Sequence, residues 1–332
     1  VCNDVQTVGA LSAIRRGFNT TIAPAFDRMM TESECTYCGQ CVAVCPVGAL
    51  TERDYTNHLL DDLANPDKVV IVQTAPAVRA ALGEEFGFPP GTLVTGKMVY
   101  ALRELGFDYV FDTDFAADLT IMEEGSEILN RLTRYLNGDK SVRLPILTSC
   151  CPAWSVMAKK LFPDHANCIS MALTPMTLTA RLIKKHNPNA KVVFIGPCAA
   201  KKLEAMRRSV RSEVDFVLTF EEMAGIFDAK HVDLENMEED PDGVSDASTD
   251  GRNFAVAGGV AQAVVDVIKR DHPEQEIKVA NAEGLKECRQ LLKLATLGKY
   301  PGYLLEGMAC PGGCVAGAGT CLLYTSPSPR DL

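Results

Sequence analysis

The chain has 332 residues, of which 47% are hydrophobic, and its mean hydropathy is close to zero. A chain of this length can bury a sizeable core, which favours a globular protein of one large or two ordinary domains. Its apolar stretches, such as residues 254–265, are too short to cross a bilayer. The formal charge of −10 argues against nucleic acid or an anionic membrane surface as a partner.

The chain contains 13 cysteines, which fall in tight groups separated by long cysteine-free stretches. Disulfide frameworks belong to small secreted domains, whereas grouped thiols in a large core-forming chain usually bind metal. The composition therefore predicts a metal-binding protein in a reducing, cytoplasmic setting.

The predicted elements indicate an α/β fold that follows a small N-terminal unit. Residues 1–65 are loop-rich, and the remainder alternates β-branched runs with amphipathic stretches. The predicted strands are 69–73, 109–112, 145–148, 192–195, 214–218 and 303–306. The predicted helices include 77–86, 95–105, 119–136, 153–161 and 258–269.

The N-terminal unit contains the run Cys35-x2-Cys38-x2-Cys41-x3-Cys45-Pro. This is the spacing of bacterial ferredoxins, in which three thiolates bind one [4Fe–4S] cubane and the fourth cysteine binds the other cluster of a two-cluster domain. The first cubane then needs an upstream ligand, for which Cys2 is the candidate, and Cys45 would serve a second cluster whose other ligands lie before Val1. The alternatives are a structural zinc site for the run and an incidental thiol for Cys2.

Three predicted strands run directly into cysteine-containing segments. Strand 145–148 leads to Cys151, strand 192–195 leads to Cys198, and strand 303–306 leads to Cys310 and Cys314. Ligands of open α/β sheets bind beyond the carboxyl ends of the strands. The spacing therefore predicts that these four thiols converge on one metal site.

The same segments resemble the three signatures of the iron-only (FeFe) hydrogenases. They read TSCCPAW at 148–154, PCAAKKLE at 197–204 and EGMACPGGCV at 306–315, in the family's order. The resemblance covers essentially residues 1–320 and implies two lobes of mostly parallel twisted sheet flanked by helices, with the cofactor in the cleft between them. A small ferredoxin-like α+β iron–sulfur domain would precede the lobes. The expected domains are 1–65 (partial ferredoxin-like), 66–320 (catalytic) and a non-native tail at 321–332.

The resemblance also implies a cofactor, the H-cluster. In it, a cubane held by Cys151, Cys198, Cys310 and Cys314 is bridged through Cys314 to a diiron centre that carries carbon monoxide, cyanide and a dithiolate. One or two additional [4Fe–4S] clusters would lie in the N-terminal domain.

An anionic diiron centre needs buried donors. Lys201 could supply a charge-assisted hydrogen bond, unless it is simply a solvated lysine beside Lys202. Ala75, Pro76, Phe254 and Met308 match positions that line the family's pocket, although core packing explains a Phe or a Met equally well.

A buried metal cannot exchange protons with water unaided, so a titratable route is needed. By resemblance, Cys150 passes protons to the bridging amine; the alternative is a spare core thiol. The resemblance extends this relay through Glu124, Ser170, Glu127 and Arg131. Glu124 and Glu127 are three residues apart on a predicted helix and so share one face, which otherwise would be interpreted as a solvated surface.

The implied activity is the reversible reduction of protons to dihydrogen, with electrons from ferredoxin or a similar carrier. Maturation proteins that insert the diiron centre would be further partners. The alternatives are a hydrogen sensor and a non-catalytic iron–sulfur protein of the same fold. Cys150 argues against the sensor, and Cys150 together with Lys201 argues against the non-catalytic scaffold.

Two positions depart from the best-known members of the family. Gly196 stands where they have Met, and Met176 stands where they have Gln, which resembles a less-studied branch with a Gly-Pro-Cys second motif. The chain is expected to be truncated at both ends, and Cys321, in the predicted tail, is discounted as a ligand.

Overall fold

The computed structural model of the chain describes residues 1–89, 91–240 and 246–320. The predicted non-native tail therefore lies outside the described residues. Within them, no helix has the length and apolarity that are needed to span a bilayer.

Nine strands are present in the described residues. They are β1 (Ser12–Ile14), β2 (Thr21–Ala23), β3 (Val70–Thr74), β4 (Tyr109–Asp112), β5 (Ile146–Leu147), β6 (Lys191–Ile195), β7 (Phe216–Leu218), β8 (Val279–Glu283) and β9 (Leu304–Met308).

Twelve α-helices are present in the same residues. They are α1 (Gln40–Ala43), α2 (Thr56–Leu63), α3 (Val78–Glu85), α4 (Thr95–Glu104), α5 (Thr113–Leu136), α6 (Pro152–Leu161), α7 (Pro175–His186), α8 (Ala199–Met206), α9 (Phe220–Ala229), α10 (Thr249–Arg252), α11 (Gly259–Asp271) and α12 (Leu285–Thr296).

The N-terminal segment is small and has little regular structure. β1 and β2 pair as an antiparallel hairpin, and the cysteine run follows, with the single-turn helix α1 inside it. Its partly exposed cysteines Cys2, Cys35 and Cys38 pack against the core of the second lobe, described below. The side chains of these cysteines therefore form part of the contact between the segment and the second lobe.

The first lobe contains a four-stranded parallel sheet in the order β4-β3-β6-β7. The two central strands, β3 and β6, are buried along almost their whole length, as is typical of parallel strands covered on both faces, although β3 ends with the buried polar residues Gln73 and Thr74. The second lobe contains a three-stranded parallel sheet in the order β5-β9-β8. Two lobes of parallel sheet flanked by helices confirm the predicted fold class.

The longest helix, α5, begins earlier than the sequence indicates. It was expected from residue 119, but the Asp112 side chain accepts a hydrogen bond from the Asp114 backbone N–H and caps the helix at Thr113. Strand β5 is shorter than predicted, since only Ile146 and Leu147 pair with β9. The first difference comes from a side-chain cap and the second from the extent of pairing with β9, and hydrophobic periodicity reveals neither.

Candidate metal centre

The carboxyl ends of three strands deliver cysteines to one cavity. Cys151 follows β5, Cys198 follows β6 and Cys310 follows β9, and all three line the cavity together with Cys314. Cys151 and Cys198 are the N-terminal caps of α6 and α8. Each of these two thiols therefore lies where a strand turns into a helix, beside free backbone N–H groups that favour an anion.

The four thiols line one cavity and lie close enough to raise one another's pKa. Burial raises the pKa of Cys198 to about 11, and the Cys151 thiolate adds to the rise. Burial, followed by the thiolates of Cys198 and Cys151, raises the pKa of Cys310 and of Cys314 well above the ordinary value. Four buried thiolates that repel one another are stable only around a cation, and this donor set fits a cubane.

The arrangement differs from a site for one metal ion. Among the described residues, no group of three or more His, Cys, Asp or Glu side chains could hold a metal ion. A cubane distributes its thiolates over four iron atoms, so its ligands need not meet at one point.

A second cavity is lined by the thiols of the N-terminal segment. Cys2, Cys35, Cys38 and Cys41 all line it. Burial, and after it the Cys2 thiolate, raises the pKa of Cys41, and burial raises the pKa of Cys38 to about 12. The structure thus brings Cys2 to the three cysteines for which it was proposed as the fourth ligand.

Cys45 does not line this second cavity. Its sulfur accepts hydrogen bonds from backbone N–H groups of residues 47–50, and the largest of these effects, from Leu50, lowers the pKa of the thiol. Backbone donors of this kind stabilise a thiolate ligand. Its assignment to another cluster stays a prediction.

Lys201 lies at the same cavity as the four thiols that follow the strands and has a carboxylate partner. Burial alone would lower its pKa, but the neighbouring Glu204 carboxylate, 2.7 Å from Lys201 Nζ, raises it above the ordinary value. Nζ also donates to the Cys150 carbonyl at 3.4 Å, and Thr174 fixes Glu204 from the other side at 2.8 Å. The lysine is therefore a buried, permanently charged donor, and not a solvated one.

The remaining predicted pocket residues lie around the same cavity. Ala75, Pro76, Phe254 and Met308 all line it, and so does Met176. Gly196 lies just before the Pro-Cys motif, and a Cβ atom there would be 2.5 Å from the Phe194 ring. Phe194 is itself a lining residue, so an aromatic ring fills the space beside Gly196.

The predicted relay residues lie near one another, beginning at the cavity. Cys150 lies in the cavity wall, and burial followed by the Glu124 carboxylate raises its pKa. Glu124 is fully buried and accepts a hydrogen bond from the Ser149 N–H at 3.1 Å. Burial raises the pKa of Glu124 to about 7, against the effect of Ser149 and Ser170.

The outer residues of this group reach solvent. Ser170 donates to Glu127 Oε2 at 2.7 Å, and Arg131 forms an ion pair with the other Glu127 oxygen. The side chains of Glu127 and Arg131 are 19% and 15% exposed. Groups that can carry a proton therefore extend from the buried thiol to the surface.

Three residues at the site were missed by the sequence analysis. Gln40 lies between two cluster cysteines, Phe194 ends an apolar strand, and Glu204 lies within the second motif. The motif around Glu204 could have indicated its role, since its carboxylate lies three residues after Lys201. No pattern distinguishes Phe194 from an ordinary core residue.

Cysteine thiols that line two adjoining cavities of a two-lobed parallel α/β fold define an iron–sulfur protein. The sequence profile described as "Iron only hydrogenase large subunit, C-terminal domain" matches residues 68–318, and that of the "4Fe-4S binding domain" matches residues 30–51. The chain therefore belongs to the iron-only hydrogenase family.

Several characterised proteins are similar in sequence. The NADP-reducing hydrogenase subunit HndD of Solidesulfovibrio fructosivorans is 45% identical, over 96% of this chain and 61% of that protein. The periplasmic [Fe] hydrogenase large subunit of Nitratidesulfovibrio vulgaris is 35% identical over 75% of this chain and 68% of that protein. The mouse cytosolic iron-sulfur assembly component 3 is 26% identical over 86% of this chain and 71% of that protein. The chain thus spans about three fifths of the length of HndD.

The chain is also similar in fold to solved [FeFe]-hydrogenase structures. A variant of the [FeFe]-hydrogenase HydA1 from Chlamydomonas reinhardtii has a TM-score of 0.68 and 28% identity, with 84% of this chain and 87% of that chain covered. A structure that reveals stepwise H-cluster assembly in an [FeFe]-hydrogenase has a TM-score of 0.66 and 29% identity over the same shares of both chains.

Proposed function

We propose that the chain is the catalytic part of a hydrogenase that reversibly reduces protons to dihydrogen with electrons from ferredoxin or a similar carrier. Cys151, Cys198, Cys310 and Cys314 would hold the cubane of the H-cluster. When bound, this cofactor supplies the iron site at which electrons and protons combine. Lys201 would donate to its anionic diiron part, and Ala75, Pro76, Phe254 and Met308 would line the pocket and exclude water.

The observation that carries the proposal is the group of titratable side chains that begins at Cys150. A protein that only stored or transferred a cluster would have no need of a buried proton route beside it. The Glu124 carboxyl has a pKa of about 7, so it can both accept and release a proton near neutral pH. Ser170 influences the pKa of Glu124, and its hydroxyl donates to Glu127, whose side chain is 19% exposed.

Electrons would enter through the N-terminal segment. Cys2, Cys35, Cys38 and Cys41 would hold one relay cubane, and Cys45 would serve another cluster. The reducing setting that such thiols require favours the cytoplasm. The maturation proteins that insert the diiron centre are the other proposed partners.

The test is hydrogen evolution from reduced viologen by the chain after maturation with the diiron cofactor. Infrared bands of bound carbon monoxide and cyanide report whether the cofactor is held. We expect Cys150→Ala to keep these bands and lose most of the turnover. The control is Glu123→Gln, which alters an exposed carboxylate of α5 outside the relay; it should retain turnover.

A second function has one observation in its favour, the similarity to iron–sulfur assembly proteins. An unaltered chain that binds the cofactor, shows its infrared bands and evolves no hydrogen would favour a non-catalytic or sensing role. Full turnover of Cys150→Ala would instead contradict the relay alone.

A further inference from the structure

Gln40 lies between the two groups of cysteines. It is the first residue of α1 and follows Cys38 by two positions in the N-terminal cluster run. It lines the cavity of that run, and its Nε2 atom donates to Cys310 Sγ at 3.9 Å. Cys310 belongs to the other group of cysteines and lines their cavity together with Cys151, Cys198 and Cys314.

The backbone beside Gln40 is held in this place by close packing. Gly39 has a φ of +79°, and a Cβ atom there would be 2.7 Å from Cβ of Ala199 and 2.8 Å from Cβ of Ala318. Ala199 directly follows Cys198. The short stretch from Cys38 to Gln40 therefore lies against the loops that carry the catalytic thiols, and Cys38 lines both cavities.

We propose that Gln40 is a positioning residue that sets the reduction potential of the cubane held by Cys310 and couples it to the N-terminal cubane. The proposal rests on the proposed function in one respect, that Cys310 ligates iron. An N–H donor to a ligating sulfur stabilises the more negative, reduced state of a cluster and so raises its potential. A neutral amide does this at every pH at which the protein is stable.

The placement of this donor has a direct consequence for electron entry. Electron transfer from the N-terminal cubane to the catalytic cubane is downhill when the potential of the second is higher than that of the first. Gln40 acts on the second potential from within the loop that ligates the first cluster. The driving force of the electron transfer therefore depends on a side chain that lies at the contact between the two sites.

The test is a redox titration of the full chain reconstituted with iron and sulfide only, without the diiron centre, and followed by electron paramagnetic resonance. We expect Gln40→Leu to lower the midpoint potential of the catalytic cubane while the iron content stays that of the unaltered protein. Gln40→Glu keeps the size of the side chain and lacks the donor when ionised, so above neutral pH it should lower the potential further. The matched control, Gln262→Leu, alters an exposed glutamine on α11 and should leave both potentials unchanged.

Two outcomes would overturn the proposal. One is an unchanged catalytic potential in Gln40→Leu or, if that variant loses iron, in Gln40→Glu with full iron. The other is an equal shift in Gln262→Leu. Because the diiron centre is not needed, these results do not depend on hydrogenase activity, whose absence after maturation would count only against the proposed function.

Discussion

At the scale of single residues, Glu124 is the group whose chemistry depends most on its surroundings. It is fully buried on α5, and its Oε1 atom accepts the Ser149 N–H while its Oε2 atom lacks a hydrogen-bond partner within the described residues. Desolvation raises its pKa to about 7, from an ordinary value of 4.5. Burial disfavours the charged carboxylate, so ionisation of Glu124 lowers the stability of the folded state.

The sign of the resulting pH dependence follows from proton binding. Between the two pKa values the folded chain holds a proton that the unfolded chain has released, so stability falls as the pH rises through this range. The full loss is about 3 kcal/mol. We expect Glu124→Gln to remove this loss, so that the melting temperature falls less between about pH 5 and about pH 8 than in the unaltered protein.

The control for this prediction is the neighbouring Glu123→Gln, because Glu123 is exposed on the same helix. Its melting temperature should follow the unaltered protein at both pH values. A Glu124→Gln variant with the unaltered pH dependence would show that the carboxyl titrates normally.

Gly196 permits a second prediction at this scale. A Cβ atom there would be 2.5 Å and 2.8 Å from two atoms of the buried Phe194 ring. We expect Gly196→Ala to cost about 1–3 kcal/mol through overpacking and to lower the iron content, since Cys198 lies two residues on. Thermal unfolding and iron analysis measure both effects.

A smaller residue at position 194 should relieve the overlap, so the double variant with Phe194→Val is expected to recover part of the loss. The control is Gly225→Ala in α9, where an added Cβ atom has no neighbour within 4 Å. Equal losses in both glycine variants would mean that the ring is not the cause.

Some residues of the site could be predicted from the sequence, and others could not. The cysteines were found because cluster ligands follow fixed spacings along the chain. Gln40 was not found, because its partner Cys310 is 270 residues away and no spacing rule joins them. Phe194 was not found, since an apolar residue at the end of a buried strand has the same pattern whether or not it faces a cavity.

At the scale of elements, α8 connects the two cluster sites. Its N-terminal cap is Cys198, and its two adjacent lysines have different partners. Lys201 forms an ion pair with Glu204 beside the cavity of the four thiols. Lys202 donates to both carboxylate oxygens of Glu222, at 2.6 and 2.8 Å, and to the carbonyl of Arg53 at 2.7 Å. The helix is therefore anchored to α9 and to the end of the N-terminal segment.

Loss of the Lys202 charge should loosen this anchor. The lysine side chain is only 5% exposed, and that of Glu222 is 15% exposed, so Lys202→Met would leave a buried carboxylate without its cation. We expect a loss of about 3–5 kcal/mol in thermal or denaturant unfolding. Part of it should return in the double variant with Glu222→Gln, which removes the stranded charge.

The control at this scale is Lys269→Met, because Lys269 is an exposed lysine on α11 and its loss should have little effect. A Lys202→Met protein as stable as this control would contradict the anchoring role of the ion pair.

Several elements were not predicted from the sequence, for a reason that the sheet shows. Strand β8 has the sequence VANAE and only one buried residue, so its apolar signal is weak. It forms because the edge of β9 is available to it through five paired residues. Tertiary pairing, and not local propensity, defines this strand.

At the scale of the whole molecule, Gly39 is one of the points at which the N-terminal segment meets the lobes. Gly39 lies against Ala199 and Ala318 in a left-handed backbone conformation. An added methyl group in Gly39→Ala would collide with Ala199 and Ala318 and should move the segment away from the lobes. We expect this movement to weaken the magnetic interaction between the two proposed cubanes when both are reduced. Electron paramagnetic resonance of the iron- and sulfide-reconstituted chain measures this interaction.

Gly48→Ala is a matched control, since Gly48 also has a positive φ of +61° but an added Cβ atom would meet nothing within 4 Å. It carries the same backbone cost without the collision. An interaction that is preserved in Gly39→Ala at full iron content would mean that the contact does not set the separation of the clusters.

Strand order also fixes the sequence of events during synthesis. β9 is the central strand of its sheet, between β5 and β8, yet it is the last strand of the described chain to leave the ribosome. The second lobe therefore stays open until residues 304–308 arrive, and Cys310 and Cys314 follow within a few residues. The N-terminal thiols emerge first, so they are available to bind iron while the cavity of Cys151, Cys198, Cys310 and Cys314 is still incomplete.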